Sequence, residues 1–385
     1  MESFDFQPRT RIIFDSGSIK RLGELARGLS ATGSSIKRVL VVSDQGVVSA
    51  GHFESGATSL RDAGLEVASF HDFAENPTTD MVDRGVAVAR DFKPELLVGL
   101  GGGSSLDCCK GINFVYSCGG SMRDYHGVGK ATGDLLPMIA VPTTAGTGSE
   151  SQSFALISDS ETNIKMACGD PRAACKIALL DPELTLTQPP RVTALTGIDA
   201  ISHAIETYVT TRRNAISLTF ARRAFGWLAT GFPRVLEDPT DLEARSRMQI
   251  GACFAGLAIE TSMLGAAHAT ANPLTAHYDI AHGQAVGLML PAVIRMNGAK
   301  HATWYRELMS EIQPGIATDD APGQLADLVQ SMLKHAGLAT TLAELDVPDD
   351  RIGQLSDDAI KQWTGTFNPI PLDRDRAQSL YFAVR

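Results

Sequence analysis

The 385-residue sequence has no long hydrophobic run, no surplus of basic charge and no paired-cysteine motif. Each lack removes a class of function. No apolar stretch approaches the roughly 20 residues needed to cross a bilayer. The first residues, Met1 to Pro8, show no basic stretch followed by an apolar one, so no secretory signal is read there. A cytoplasmic chain without membrane contact is expected. Acidic residues outnumber basic ones, 44 to 34, for a formal net charge of -10. That excludes a general nucleic-acid or anionic-membrane surface. Any phosphate must then be gripped locally, by backbone amides. The six cysteines include no C-x-x-C spacing, which excludes a zinc ribbon or a thioredoxin-like site. They read as small buried residues in a reducing compartment. There is no internal repeat and no low-complexity tract.

What remains is ordinary globular composition, 44% hydrophobic and 20% charged, at a length that suits two or three domains. The first half alternates strand and helix signals. Short apolar runs at 38–43, 66–70, 95–100 and 136–141 read as strands, the first of them buried on both faces. Helical patterns lie between them at 53–63 and 78–92, the latter capped by Thr78 or Thr79. This alternation predicts a parallel sheet with helices on both faces. From about Pro190 the pattern is helical, over 193–209, 215–236, 242–270 and 284–296, with Asn272-Pro273 expected to end the third segment. The predicted organisation is an α/β dinucleotide-binding domain over residues 1–185 and an all-helical domain over residues 186–385.

Two loops suit a nucleotide. Leu97-Val-Gly-Leu-Gly-Gly-Gly-Ser-Ser-Leu-Asp107 joins a strand to a helix, so its glycines allow close backbone approach at a helix N-terminus. It departs from G-x-G-x-x-G because Ser104 stands at the third glycine position, and it reads equally as a tight turn with no ligand. Val141-Pro-Thr-Thr-Ala-Gly-Thr-Gly-Ser-Glu150 is dense in hydroxyls and glycines and is either a second ligand loop or an ordinary polar one. The helical half carries Asp199-x-x-x-His203, one turn apart on one helix face, with His268 and His282 further on. Three imidazoles and a carboxylate suit Fe²⁺ or Zn²⁺. The same spacing also fits a plain helix-surface pair.

Taken together, Gly101-Gly-Gly-Ser-Ser-Leu-Asp-Cys-Cys-Lys110, Pro142-Thr-Thr-Ala-Gly-Thr-Gly-Ser-Glu150 and Gly197-Ile-Asp-Ala-Ile-Ser-His-Ala-Ile-Glu206 resemble the iron-containing, or group III, alcohol dehydrogenases. Asn76-Pro-Thr78 and the pair His268 and His282 match in order and spacing. The resemblance covers essentially the whole chain. It implies a Rossmann-like nucleotide domain and a helical metal domain, in the architecture shared with dehydroquinate synthase. It gives the metal-ligand role to Asp199, His203, His268 and His282. It gives nucleotide contacts to Asn76, Gly101, Gly102, Gly103, Ser104, Asp107, Thr143, Thr144, Thr147, Ser149 and Lys165. Asp44, just past the strand Val39 to Ser43, looks like the acid that contacts the adenine ribose. A carboxylate there favours NAD over NADP.

The activity so implied is a metal-dependent, NAD(P)(H)-linked alcohol dehydrogenase, or aldehyde and ketone reductase, moving hydride between an alcohol carbon and nicotinamide. The expected cofactors are Fe²⁺ (or Zn²⁺) and NAD. The expected partners are a small alcohol, aldehyde or ketone and a second copy of the chain in a dimer, with no nucleic acid. Two other readings share the fold: a dehydroquinate synthase-like lyase with no net redox change, and a metal-free maleylacetate-type reductase. One departure stands out. Relatives often show His-x-x-x-His, whereas here His268 is followed by Asn272, an amide that takes no proton near neutral pH. Besides His268, the nearby His277 is the candidate to carry that proton, against an exposed or merely structural reading that is the favoured one for it.

Overall fold

The computed structural model describes residues 4–31, 34–162 and 164–385. The chain divides into two units. One comprises Gln7–Thr144 and Gly148–Gln188, the other Met1–Phe6, Ala145–Thr147 and Pro189–Arg385.

The first unit is built on six strands: β1 (Arg11–Phe14), β4 (Arg38–Val42), β5 (Glu66–Phe70), β6 (Leu96–Gly101), β8 (Met138–Pro142) and β11 (Ile177–Leu180). Between these fall a two-stranded ribbon, β2 (Ser30–Ala31) and β3 (Ser34–Ser35), and a small sheet of β7 (Gly127–Val128), β9 (Phe154–Ser158) and β10 (Lys165–Gly169). The main sheet runs β1-β11-β8-β6-β4-β5, and every pairing in it is parallel. Strands β6, β8 and β11 are buried along their whole length, which is why β6 and β8 read as continuous apolar runs rather than as alternations. The helices are α1 (Leu22–Arg27), α2 (Gln45–Ser49), α3 (His52–Asp62), α4 (Thr79–Phe92) and α5 (Gly103–Cys118). The Thr78 hydroxyl caps α4 by accepting from the Met81 amide. Strand order reverses between β4 and β6, the point where ligands bind at the carboxyl edge of such sheets. Asp44 and the glycine turn follow directly from those two strands.

All six cysteines are free thiols. Five are buried, and four of these (Cys108, Cys109, Cys168 and Cys175) pack into one core cluster beside β6. Cys118, at the end of α5, is partly exposed, unlike the expectation for the set. Among the described residues no single helix is long and apolar enough to cross a membrane.

The second unit is helical: α6 (Pro190–Val209), α7 (Ala215–Glu237), α8 (Leu242–Thr261), α9 (Ala266–Tyr278), α10 (His282–Met309), α11 (Ala321–His335), α12 (Ile352–Ala359) and α13 (Arg374–Ala383). Helix α6 is its axis, buried without interruption from Gly197 to Val209. Gly197 lets Phe232 of α7 lie against the α6 backbone, for a β-carbon there would come within 2.5 Å of the phenyl ring. The bias against helix before a proline predicts that the third helix ends at Asn272-Pro273. The break is instead at Ser262–Gly265, where the chain turns by 104°, and Pro273 sits inside α9. A proline in a helix interior costs about 3 kcal/mol. Here burial of Ala271 and Leu274 offsets that cost, and Tyr381 Oη donates to the Thr270 carbonyl, 2.6 Å away, in the turn the proline loosens.

Candidate metal centre

A helix buried on every side has no solvent face for polar residues. Polar groups on it must find partners or do chemistry. Asp199, His203 and Glu206 are such residues, at 5%, 5% and 2% exposure. Their spacing puts all three on one face of α6. His268 lies in the first turn of α9, and His282 is the first residue of α10.

The four expected ligands converge on one oxygen. From Asp199 Oδ1, the Nε2 atoms of His203, His268 and His282 lie at 3.4, 3.6 and 3.8 Å. Asp199, His268 and His282 offer ligand atoms within 4.8 Å of one another. The His203 and His268 rings stack with centroids 5.0 Å apart. Asp199 Oδ1 and His268 Nε2 are buried without a hydrogen-bond partner. Ligand atoms each about 2.1 Å from a tetrahedral ion stand roughly 3.4 Å from one another. The spacing and the orphaned atoms therefore suit a divalent transition ion better than direct hydrogen bonding. Three of the side chains are at most 7% exposed and His282 is 28% exposed, so the cluster opens on the His282 side.

Electrostatics agree. Burial would raise the Asp199 carboxyl, but the surrounding His203, His268 and His282 hold it well below the usual range. Burial holds the His203 imidazole below its ordinary value. Burial would also lower His268, yet the carboxylates of Asp199 and Glu206 raise it to about 9. A cation entering here displaces a proton, so its uptake weakens as pH falls.

Gly283 sets where His282 sits. A β-carbon on Gly283 would lie 2.1 Å from the Leu195 carbonyl oxygen of α6, so the start of α10 can lie on α6 only because this residue has no side chain. Gly283→Ala should push α10 outward and carry His282 away from Asp199. We expect a loss of about 1–3 kcal/mol in stability and metal affinity reduced tenfold or more, read by thermal unfolding and chelator competition. Metal binding equal to wild type would show that the helix contact does not set the site.

The nucleotide candidates fall into two groups. Asp44 Oδ1 caps α2 by accepting from the Val47 amide, and its Oδ2 accepts from Ser105 Oγ at 2.9 Å, tying the end of β4 to the first turn of α5. Gly101, at φ 148°, has no room for a β-carbon beside Ser105. Gly102 precedes α5 without a side-chain cap, so the Gly103 and Ser104 end of the helix presents amides that have no intrahelical partner. The Asn76 amide donates to Ser104 Oγ, and Lys165 Nζ donates to Asn76 Oδ1 at 3.4 Å. A β-carbon on Gly102 would meet Thr144 at 3.2 Å, and the Thr143 amide donates to the Gly101 carbonyl. These residues form one rim at the sheet's carboxyl edge.

Asp107 and Ser149 lie deeper, in a network centred on Lys110. Lys110 is 1% exposed, and its Nζ faces Ser149 O, Ser149 Oγ, Gln152 O and Phe154 O at 2.7 to 2.9 Å. Ser149 Oγ in turn donates to Asp107 Oδ1 at 2.7 Å. Burial raises the Asp107 carboxyl, against the pull of Lys110 and Ser149. Thr147 belongs to the helical unit, where its neighbour Gly146 packs on Thr196. Asn272 Nδ2 donates to Gln362 Oε1 at 3.0 Å, and half-exposed His277 pairs through Nε2 with Asp358 at 2.9 Å.

Residues 8–182 match the family model described as iron-containing alcohol dehydrogenase, and residues 193–384 match the model of that family's C-terminal domain. The chain is 32% identical over 372 residues to an NAD-dependent methanol dehydrogenase of Bacillus methanolicus, covering 96% of each. It is 33% identical over 382 residues to a choline dehydrogenase of Bacillus subtilis, covering 98% of this chain and 94% of that one. A crystal structure of a 1,3-propanediol oxidoreductase superposes with TM-score 0.95 at 28% identity over the full length of both chains.

Proposed function

Since this chain belongs to the iron-containing alcohol dehydrogenase family, we propose that it oxidises a small alcohol with NAD, or reduces the matching carbonyl with NADH, with Asp199, His203, His268 and His282 holding one divalent ion. The convergence of three imidazole nitrogens on the orphaned Asp199 Oδ1 carries this reading. When bound, the ion supplies Lewis acidity toward the substrate oxygen.

The rest is done by the chain. The buried ligands keep water from all but the His282 side. The amides at Gly102, Gly103 and Ser104 hold the pyrophosphate at a helix N-terminus. Asn76, Thr143, Thr144, Thr147 and Lys165 surround the nucleotide, while Asp107 and Ser149 support their loop from beneath. Hydride leaves the carbinol carbon for the nicotinamide ring, and the hydroxyl proton departs to solvent. Asn272 has no lone pair basic enough to take that proton, and His277, paired with Asp358, is assigned to carry it. Residues 1–185 are read as the nucleotide domain and 186–385 as the metal domain.

The lyase and metal-free reductase readings are not favoured, because both family models belong to the alcohol dehydrogenases and the ligand quartet is intact. The relatives named above act, by name, on methanol, choline and propanediol, all primary alcohols. A small primary alcohol is therefore the proposed substrate class. Fe²⁺ is the proposed ion, and Zn²⁺ fits the same donors. A cytoplasmic homodimer completes the proposal, in line with the free thiols and the acidic net charge of the chain. The test is cofactor accounting on the metal-loaded protein. NADH should accumulate with a member of a primary-alcohol panel. A lyase leaves NAD unchanged, and silence across the panel and its aldehydes overturns the reading.

Cofactor choice rests on Asp44. Asp44→Asn keeps an acceptor for the Val47 amide and removes the charge that repels a 2′-phosphate. The Ser105 hydroxyl can rotate to accept from the new amide. The preference for NAD over NADP, as a ratio of kcat/KM values, should fall at least about tenfold. An unchanged ratio removes Asp44 from cofactor discrimination.

A further inference from the structure

Glu206 closes the helical motif Gly197–Glu206. It is 2% exposed on α6, three residues beyond His203 and seven beyond Asp199. Its carboxylate meets the start of α9. Helix α9 has no cap of its own, because Gly265 offers no side chain. Its first two amides are satisfied from elsewhere: Ala266 N–H donates to Asn368 Oδ1 at 3.3 Å, and Ala267 N–H donates to Glu206 Oε1 at 2.7 Å. Asn368 is fixed by a reciprocal pair with Asn297 and by the Ile370 carbonyl. A β-carbon on Gly265 would come within 3.0 Å of both Asn368 Oδ1 and Glu206 Oε1, so the approach depends on glycine. The second oxygen, Glu206 Oε2, lies 2.5 Å from His268 Nδ1.

We propose that Glu206 is a positioning residue: by accepting from the Ala267 amide and from His268 Nδ1 together, it holds His268 with its proton on Nδ1 and its Nε2 lone pair toward Asp199 and the metal. The proposal rests on the metal reading above. The logic is one of donors and acceptors. A backbone N–H donates only, so Oε1 is committed to Ala267. A carboxylate accepts only, so Oε2 takes the Nδ1 proton. Once an ion displaces the second ring proton, Nε2 turns its lone pair to the site, 3.6 Å from Asp199 Oδ1. Such carboxylate–histidine–metal arrangements orient the ring and raise its basicity as a ligand. Charge supports the same assignment. The N-termini of α9 and α10, with their partial positive charge, both meet this cluster, and two carboxylates, Asp199 and Glu206, offset that charge together with a divalent ion.

Glu206→Gln separates this role from simple helix capping. The glutamine amide has one acceptor oxygen for two donors, Ala267 N–H and a metal-liganded His268 Nδ1–H. One of them must face an NH₂ group in the metal-loaded state. In the metal-free state, at a pH where the His268 ring is neutral, the oxygen stays with Ala267, the NH₂ group donates to His268 Nδ1, and the helix remains capped. Three measurements on the full chain follow: the Zn²⁺ and Fe²⁺ dissociation constants by chelator competition, the ring N–H resonance of His268 in the Zn²⁺-loaded protein, and the unfolding temperature without metal. We expect metal affinity to fall 10–100-fold, the hydrogen-bonded ring N–H signal of the wild type to be lost or displaced, and metal-free unfolding to stay close to wild type. Unchanged affinity for metal, or a fall only in metal-free unfolding temperature, makes Glu206 a helix cap and overturns the proposal. A wild-type chain that takes up neither ion overturns the metal reading itself.

Discussion

Replacing His268 by alanine should lower turnover by about a thousandfold or more while leaving NAD affinity within about twofold of wild type. The magnitude corresponds to several kcal/mol of lost charge stabilisation at the reacting oxygen. The change removes one of the three imidazoles around Asp199 Oδ1 and strips Glu206 Oε2 of its donor. The rim formed by Asp44, Ser105, Asn76 and Lys165 belongs to the other unit and keeps its hydrogen bonds. Elemental analysis should show metal content falling with activity, while calorimetric titration with NAD stays near the wild-type curve. If NAD binding collapses along with turnover, His268 supports the fold rather than the reaction.

Lys110→Met should cost about 3–5 kcal/mol, the range for removing one partner of a buried charged pair. The methionine fills much of the volume but donates nothing. Three backbone carbonyls, those of Ser149, Gln152 and Phe154, lose a donor at once, and Asp107 loses the cation that offsets its burial. Lys110→Arg should fare little better, since a planar fork cannot occupy the centre of four oxygens that suit a compact ammonium. Denaturant unfolding reads the stability. NAD affinity should drop with it, because the loop carrying Thr143 and Thr144 hangs from this point. A midpoint unchanged within error would show that the four oxygens find water instead.

Much of this was legible beforehand, for identifiable reasons. The strand at 38–42 stands out because a parallel strand buried on both faces becomes an unbroken apolar run, whereas the part-exposed edge strand at 66–70 is legible from its place in the strand–helix alternation. Edge strand β1 and strand β11, four residues each, are too short to display any period. The quartet Asp199, His203, His268 and His282 was readable as residue types at helical and motif spacing, and the fold brings all four to one oxygen. Glu206 and Lys110 stand within the motifs at 197–206 and 101–110. The signal that could have found them is polarity on a face that burial makes apolar: Glu206 shares the face of Asp199 and His203, and Lys110 follows Asp107 by three positions in α5. The misplaced helix end has a different cause. Proline is a local rule, and it predicted a stop at Asn272. The actual start of α9 is set by Glu206 and Asn368, side chains remote in sequence that no local pattern reveals.

The outermost pairing of the main sheet joins Arg11–Phe14 to Ile177–Leu180, the first strand to the last. The amides of Gly17 and Ile19 then bind the Asp181 carboxylate. During synthesis the opening segment therefore waits, unpaired, until more than 160 further residues have left the ribosome. Strands β4, β5 and β6 can assemble meanwhile. Closing so long a loop makes the last step slow, and a chain stalled before Ile177 would display Ile12 and Ile13 on a naked strand edge, inviting capture by chaperones or by another unfinished copy.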